Sequence, residues 1–218
     1  MSKRMKLRRI LSGLFASSAV LWAQPSLAHP HVFVSTALHI VLDDQGQATG
    51  VEVRWAYDDL YSLLTFEDMG LDGDYDSKLT STELARLDGF DLNWIAGFDG
   101  DLYVVGPAGP VLLGAPIGRG VAVENAQIIT THLRPFLSPV TAQGLVVQAY
   151  DPTYYTAYDL MGGVTVDGTC QTKVTPPDLT RAQQWLEELM AQQTNPDPDV
   201  FPEVGVAFAD RVELSCAP

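Results

Sequence analysis

Apolar and polar residues alternate from residue 31 onward. In "HVFVSTALHIVL" (31–42) nearly every second side chain is apolar, which is the period of a half-buried strand. Asp43 to Gln47 reads as a turn, and "ATGVEVRWAY" (48–57) as the returning strand of a long hairpin. The period then changes. In "DDLYSLLTFEDMG" (58–70), Leu60, Leu63, Leu64 and Met69 recur at helical spacing, with acids at the start where they suit the helix dipole. A second helix is predicted from Thr82 to Ala96. The β pattern returns in "DLYVV", "ENAQIITTHLRPFL", "GLVVQAYDP" and "GGVTVDGTCQ". Pro176-Pro177 mark a linker, and "TRAQQWLEELMAQQ" (180–193) reads as an amphipathic helix with Thr180 and Gln183 placed like a capping box.

These elements predict an α+β chain. An antiparallel β-sheet or sandwich carries an inserted helix–loop–helix over 58–96, and a C-terminal helix with a proline-rich acidic segment spans 176–203. Nothing repeats internally.

The N-terminus changes the picture of what the mature chain is. Lys3, Arg4, Lys6, Arg8 and Arg9 precede an apolar run from Ile10 to Ala23, and Ser26-Leu27-Ala28 offers small residues where signal peptidase reads them. The run falls short of the ~20 residues of a membrane span. Residues 1–28 are therefore expected to be a cleaved signal peptide, and 29–218 a single periplasmic domain with no stable membrane insertion. Of the 13 basic and 27 acidic residues, the leader holds five basic and no acidic ones, so a net charge of −14 becomes −19. Such a surface repels nucleic acid and anionic lipid and attracts cations. Cys170 and Cys216, the two cysteines, are expected to form a disulfide in an oxidising compartment; no CxxC spacing favours thiolate metal ligands.

One loop carries ion-binding chemistry. Asp72, Asp74, Asp76, Lys78, Thr80 and Glu83 occupy the ligand positions of a twelve-residue EF-hand loop, where alternate oxygens wrap Ca2+ and the last Glu gives two more. Ser77 stands where the sharp turn favours glycine, and no second such loop pairs with it. The expected role is a structural brace.

The histidines suggest a second ion. A cut after Ala28 gives His29 both a free amine and an imidazole, and His31 lies on the same side of a strand. These nitrogens suit Zn, Ni, Co or Cu(II). Pro30 has no amide to deprotonate, so the four-nitrogen N-terminal chelate cannot form and further ligands must come from the fold. His132, or carboxylates such as Asp58, Asp59 and Asp151, are the candidates. His39 lies about 26 Å along the strand and is not expected to join. In "AYDPTYYTAYDL" (149–160), Asp151 either lines a pocket with the tyrosines or makes an Asp-Pro turn whose tyrosines fill the sheet. Trp55, Tyr57 and Tyr61 are expected in the core.

"HPHVFV", "RWAYDDLYS", the aspartate-rich loop ending "TSTEL", "YDPTYYTAY" and the late "GTC" occur in that order. In these motifs the chain resembles a family of exported bacterial proteins, domain of unknown function 1007. The resemblance implies the periplasmic component of an uncharacterised ABC-type transport system, associated with nickel/cobalt-type membrane transporters and in some cases zinc-responsive. On this reading the chain is a metal-binding accessory of a membrane transporter and not an enzyme. Two other readings are a calcium-braced protein-interaction module, and a copper histidine-brace protein using His29 and His132.

Overall fold

Side-chain alternation builds the first sheet. On β1 (Val32–Leu42) every inward residue down to Ile40 is buried, Thr36 included, while Phe33 on the other face is 54% exposed. β2 (Gln47–Tyr57) pairs with it antiparallel, matching Leu38 to Val53 and Thr36 to Trp55. The computed structural model describes residues 30–95, 97–192 and 201–217. The expected signal peptide, its cleavage site and His29 lie outside these residues.

After β2 come α1 (Asp59–Met69), α2 (Ser81–Leu87), β3 (Leu102–Gly106), β4 (Gly109–Pro110), β5 (Ile117–Glu124), β6 (Gln127–Thr141), β7 (Val146–Ala149), β8 (Thr156–Val166) and β9 (Gln171–Thr175). α3 (Leu179–Gln192), a 3-10 turn (Gly205–Phe208) and β10 (Arg211–Ser215) complete the chain. The strands form two five-stranded sheets, in the orders β5-β6-β2-β1-β8 and β4-β3-β7-β10-β9. One apolar cluster draws Val34, Val53 and Ile128 from the first sheet and Val104, Val147 and Val212 from the second. Each fully buried Val or Ile contributes about 1.5–3 kcal/mol of transfer free energy.

The fold is thus α+β, with the expected helical insertion and C-terminal helix. Four local expectations need correction. β8 pairs parallel to β1, joining Val32 to Thr156, so the first sheet is not purely antiparallel. The second helix stops at Leu87, and the described residues between it and Leu102 run as turns and irregular backbone. α1 buries Ser62 and Phe66, leaving Leu60, Leu63 and Leu64 outside. Asp178, rather than Thr180, caps α3: its carboxylate accepts from the Arg181 N–H at 3.1 Å, and its carbonyl from Ala182 at 2.9 Å.

The disulfide forms as expected between Cys170 and Cys216, tying the end of β10 to the turn before β9. Among the described residues no helix is long and apolar enough to cross a membrane.

Candidate functional site

The calcium-type loop is assembled by local backbone chemistry. Asp58 caps the start of α1 by accepting from the Tyr61 N–H at 2.9 Å, and Gly70 ends the helix at φ +59°. At the far side Thr80 and Glu83 make a reciprocal capping box for α2. Between them Asp72 is folded inward: Oδ1 accepts from the Asp76 N–H at 3.0 Å and Oδ2 from the Ser77 N–H at 3.1 Å. Ser77 holds φ +60°, the left-handed conformation for which glycine is usual at this position.

Asp72, Asp74 and Asp76 each place a carboxylate oxygen within 4.8 Å of the others. Glu83 turns toward the same loop, with Oε1 accepting from the Asp72 N–H at 3.0 Å and Oε2 from Thr80 at 2.8 Å. Those bonds from Thr80 hold its carboxyl below the usual range, so it stays ionised. Three carboxylates converge on one turn with Glu83 hydrogen-bonded to its backbone, oxygen donors of the kind that Ca2+ takes. Lys78 Nζ lies 3.7 Å from Asp76 Oδ2, and its backbone N–H donates to Asp76 Oδ1 at 2.8 Å.

The second feature is a cleft of about 630 Å3 where the ends of both sheets meet. β1 supplies Val32, β2 Trp55 and Tyr57, α1 Tyr61, and the stretch 91–103 Asp91, Trp94, Phe98, Asp99, Asp101 and Tyr103. Asp151, Tyr155 and Tyr158 close the opposite wall, with Glu203 at its edge. The walls are held by specific contacts. Tyr57 and Thr130 donate to Asp91 Oδ2 at 3.0 and 2.6 Å, and Tyr158 donates to Asp101 Oδ2 at 2.8 Å. Gly100, at φ +72°, packs against Trp94 and Arg134 so closely that a Cβ would fall 2.2 Å from the indole. The Arg134 guanidinium stacks 4.5 Å over that indole and donates to the Asp99 carbonyl at 2.5 Å.

Burial dominates the electrostatics. It pushes the Asp101 carboxyl up to about 7; the Tyr158 hydrogen bond opposes this, and the charges of Asp151 and Asp99 add to it. Asp91 is raised by the same desolvation, against hydrogen bonds from Thr130 and Tyr57.

The predicted metal ligands divide. Asp151 lines the cleft, and His31 lies beside Tyr155, another residue of its wall. The His31 N–H donates to the Tyr155 carbonyl at 2.8 Å, and its ring lies 4.8 Å from the Tyr155 ring. Asp151 both makes its turn and lines the cleft: Oδ1 accepts from Thr153 at 2.8 Å and Oδ2 from Thr156 at 3.0 Å. Gly205 backs this turn, since a Cβ there would sit 1.8 Å from the Asp151 carbonyl oxygen, and Tyr154 stacks on Phe208 at 4.0 Å.

His132 does not join them. It faces Val53 across β6 and β2, and Val53 faces Leu38. That register puts it seven residues, about 23 Å, along the strands from His31. Its ring is fully buried between Trp55 at 4.7 Å and Trp94 at 5.9 Å, and burial lowers its pKa to about 4. His39 is engaged at the other end of β1, with Nδ1 2.9 Å from Thr165 Oγ1 and Nε2 3.2 Å from Asp167.

With this geometry in view, comparison with known proteins is informative. A family model described as "Protein of unknown function (DUF1007)" matches residues 14–216. The chain belongs to the DUF1007 family. It is also similar to an uncharacterized protein of Haemophilus influenzae, 26% identical over 224 residues, which is 97% of this chain and all of that protein. No solved structure matches it.

Sequence reasoning missed the inner wall of this DUF1007 cleft. Asp91 falls inside the predicted second helix and Asp101 at the start of the strand read in "DLYVV", and neither they nor Asp99 stand out as site residues. A signal was present in "LNWIAGFDGDLYVV" (92–105), where three aromatics and two acids crowd a glycine-bearing stretch between elements.

Proposed function

We propose that this DUF1007 chain is a periplasmic accessory that captures a divalent transition metal (Zn, Ni, Co or Cu) for a membrane transporter, with Ca2+ bracing the Asp72–Glu83 loop. The observation that carries the reading is that His31 packs on Tyr155, which lines one acidic cleft together with Asp151, although 120 residues separate His31 from Asp151 in sequence. An imidazole, a carboxylate and the amine and imidazole of a processed His29 make a mixed nitrogen–oxygen donor set for a borderline cation. The negative potential of the cleft raises the local concentration of cations. Capture and release suit an exposed mouth better than a sealed cage.

Metal titration tests this. Protein exported and trimmed to a free His29 is compared with the same chain bearing one extra N-terminal residue, with calcium present throughout. Zn, Ni, Co and Cu(II) compete in each sample. Tight binding that needs both the free amine and His31 supports the reading, and the tightest ion names the cargo. Equal weak binding by both proteins, unchanged by His31→Ala, removes it.

A second reading is a calcium-braced docking module without a transition metal. It is favoured by the exposed Phe33, Leu60, Leu63 and Leu64 around the start of α1. Phe33 and Asp58 are bound reciprocally there, at 2.7 and 3.0 Å. This reading predicts intact transport after His31→Ala and lost transport after Leu60→Asp with Leu64→Asp. The copper brace through His132 is not proposed, because His132 lies in the core away from His31.

A further inference from the structure

We propose that the inner part of the cleft binds a low-charge-density organic cation, an alkylated ammonium or guanidinium group, between aromatic faces and the Asp91 and Asp101 carboxylates. This goes beyond the metal reading and does not depend on it, because it uses neither His31 nor Asp151.

The size fits a small molecule: about 630 Å3 lies within the usual range of ligand sites. The wall is built of rings. Trp55 lies 5.5 Å from Tyr158 and 6.3 Å from Tyr57, both at tilted or edge-on angles, so three ring surfaces turn around one corner. Tyr57 and Tyr158 each donate their hydroxyl to a carboxylate, which polarises the phenol and makes its face more attractive to a cation. Among the described lining residues none is Lys or Arg.

Two orphan polar atoms make the site incomplete as it stands. Trp55 is 4% exposed and its buried indole N–H has no acceptor; Asp91 Oδ1, also buried, has no donor. Unpaired buried polar groups are costly, and an occupant that carries a hydroxyl beside its cationic head, as choline does, offers an acceptor to the indole and a donor to the carboxylate. A bare metal ion matches poorly. Among the described residues, the only three ligand side chains that converge are Asp72, Asp74 and Asp76, outside the cleft. Carboxylates spread around rings serve a large, weakly hydrated cation, which gains from each ring face without needing a tight oxygen cage.

Calorimetry and tryptophan fluorescence on the mature protein, with a chelator present, test the proposal using choline and tetramethylammonium. The neutral isostere 3,3-dimethylbutan-1-ol is the control. Choline is expected to bind at least about tenfold more tightly than the alcohol, a difference of about 1.4 kcal/mol. Asp101→Asn is expected to weaken choline at least fivefold, and Tyr103→Leu at the cleft wall gives a second variant if the first unfolds. Equal binding of choline and the alcohol, no binding of either cation at millimolar concentration, or binding unaffected by both variants overturns the proposal. His31→Ala separates the two readings: it is expected to remove metal binding and leave choline binding intact, whatever the outcome for the metal.

Discussion

The backbone N–H of Asp72 donates to Glu83 Oε1 at 3.0 Å, so the twelfth residue of the acidic loop closes on the first. The same carboxylate caps α2 through Thr80. One side chain therefore sets both the loop's closure and the start of the following helix.

Calcium is expected to stabilise the fold through this loop. At a hundredfold excess over its dissociation constant the gain is about 2.7 kcal/mol, which raises the thermal midpoint of a chain this size by roughly 5–10 °C. Asp76→Asn should lose most of that shift. Melts with calcium and with chelator are the check, and superimposable curves would show that the loop does not hold the ion.

Asp101 should make stability fall with rising pH. Its folded pKa, about 7, lies above the ordinary carboxylate value near 4, so the folded state binds the proton more strongly. The contribution is fully present below about pH 4 and is lost as pH rises through about 7. Asp101→Asn removes the titration. The difference between variant and wild-type urea midpoints is expected to grow across this window and level off above it; a flat difference contradicts the assignment.

His132 works in the opposite direction. Burial holds its folded pKa at about 4, below the unfolded value near 6.5, so its contribution is present above about pH 6.5 and lost as pH falls through 4. Neither ring nitrogen has a partner. His132→Leu is expected to keep stability at pH 7 and to lose less of it than the wild type on acidification to pH 4.5. Steeper acid loss in the variant would sink the idea.

Reduction of Cys170–Cys216 is expected to cost about 4 kcal/mol, since the bond closes 46 residues. Cys170→Ser with Cys216→Ser should reproduce the effect of reductant on the thermal midpoint. An unchanged midpoint after reduction would mean that β9 and β10 hold the C-terminus without it.

The parts of the fold that sequence made legible are those with strong local signals. β1 and β2 alternate over most of their eleven residues each, and the disulfide needed only the chain's two cysteines. Where tertiary context overrides local pattern, the signal fades. β5, "IGRGVAVE", has four exposed residues in a row at a sheet edge, and β9, "QTKVT", is mostly polar, so neither stands out from a loop. On β6 the inward face carries Thr130, His132 and Arg134, which by residue type read as outward. Arg134 is tolerated inside because Trp94 and two carbonyls take its charge, a partnership that sequence spacing does not announce. The cleft failed to show for the same reason: its acids are unremarkable one by one, and only the fold gathers them.

β1 is flanked by β2 and, in parallel, by β8, whose pairing joins Val32 to Thr156. A parallel neighbour cannot be reached by a tight turn, and closing so long a span delays folding more than it weakens the product. The first strand can form a hairpin early but cannot be covered on its second edge until the eighth has been made. The cleft draws on residues from Val32 to Glu203, so it comes into being only in the last act of folding. A chain emerging from the ribosome or through a translocation pore therefore presents no assembled cleft until nearly all of it has been delivered, and any ion or ligand that needs that cleft meets only the finished protein.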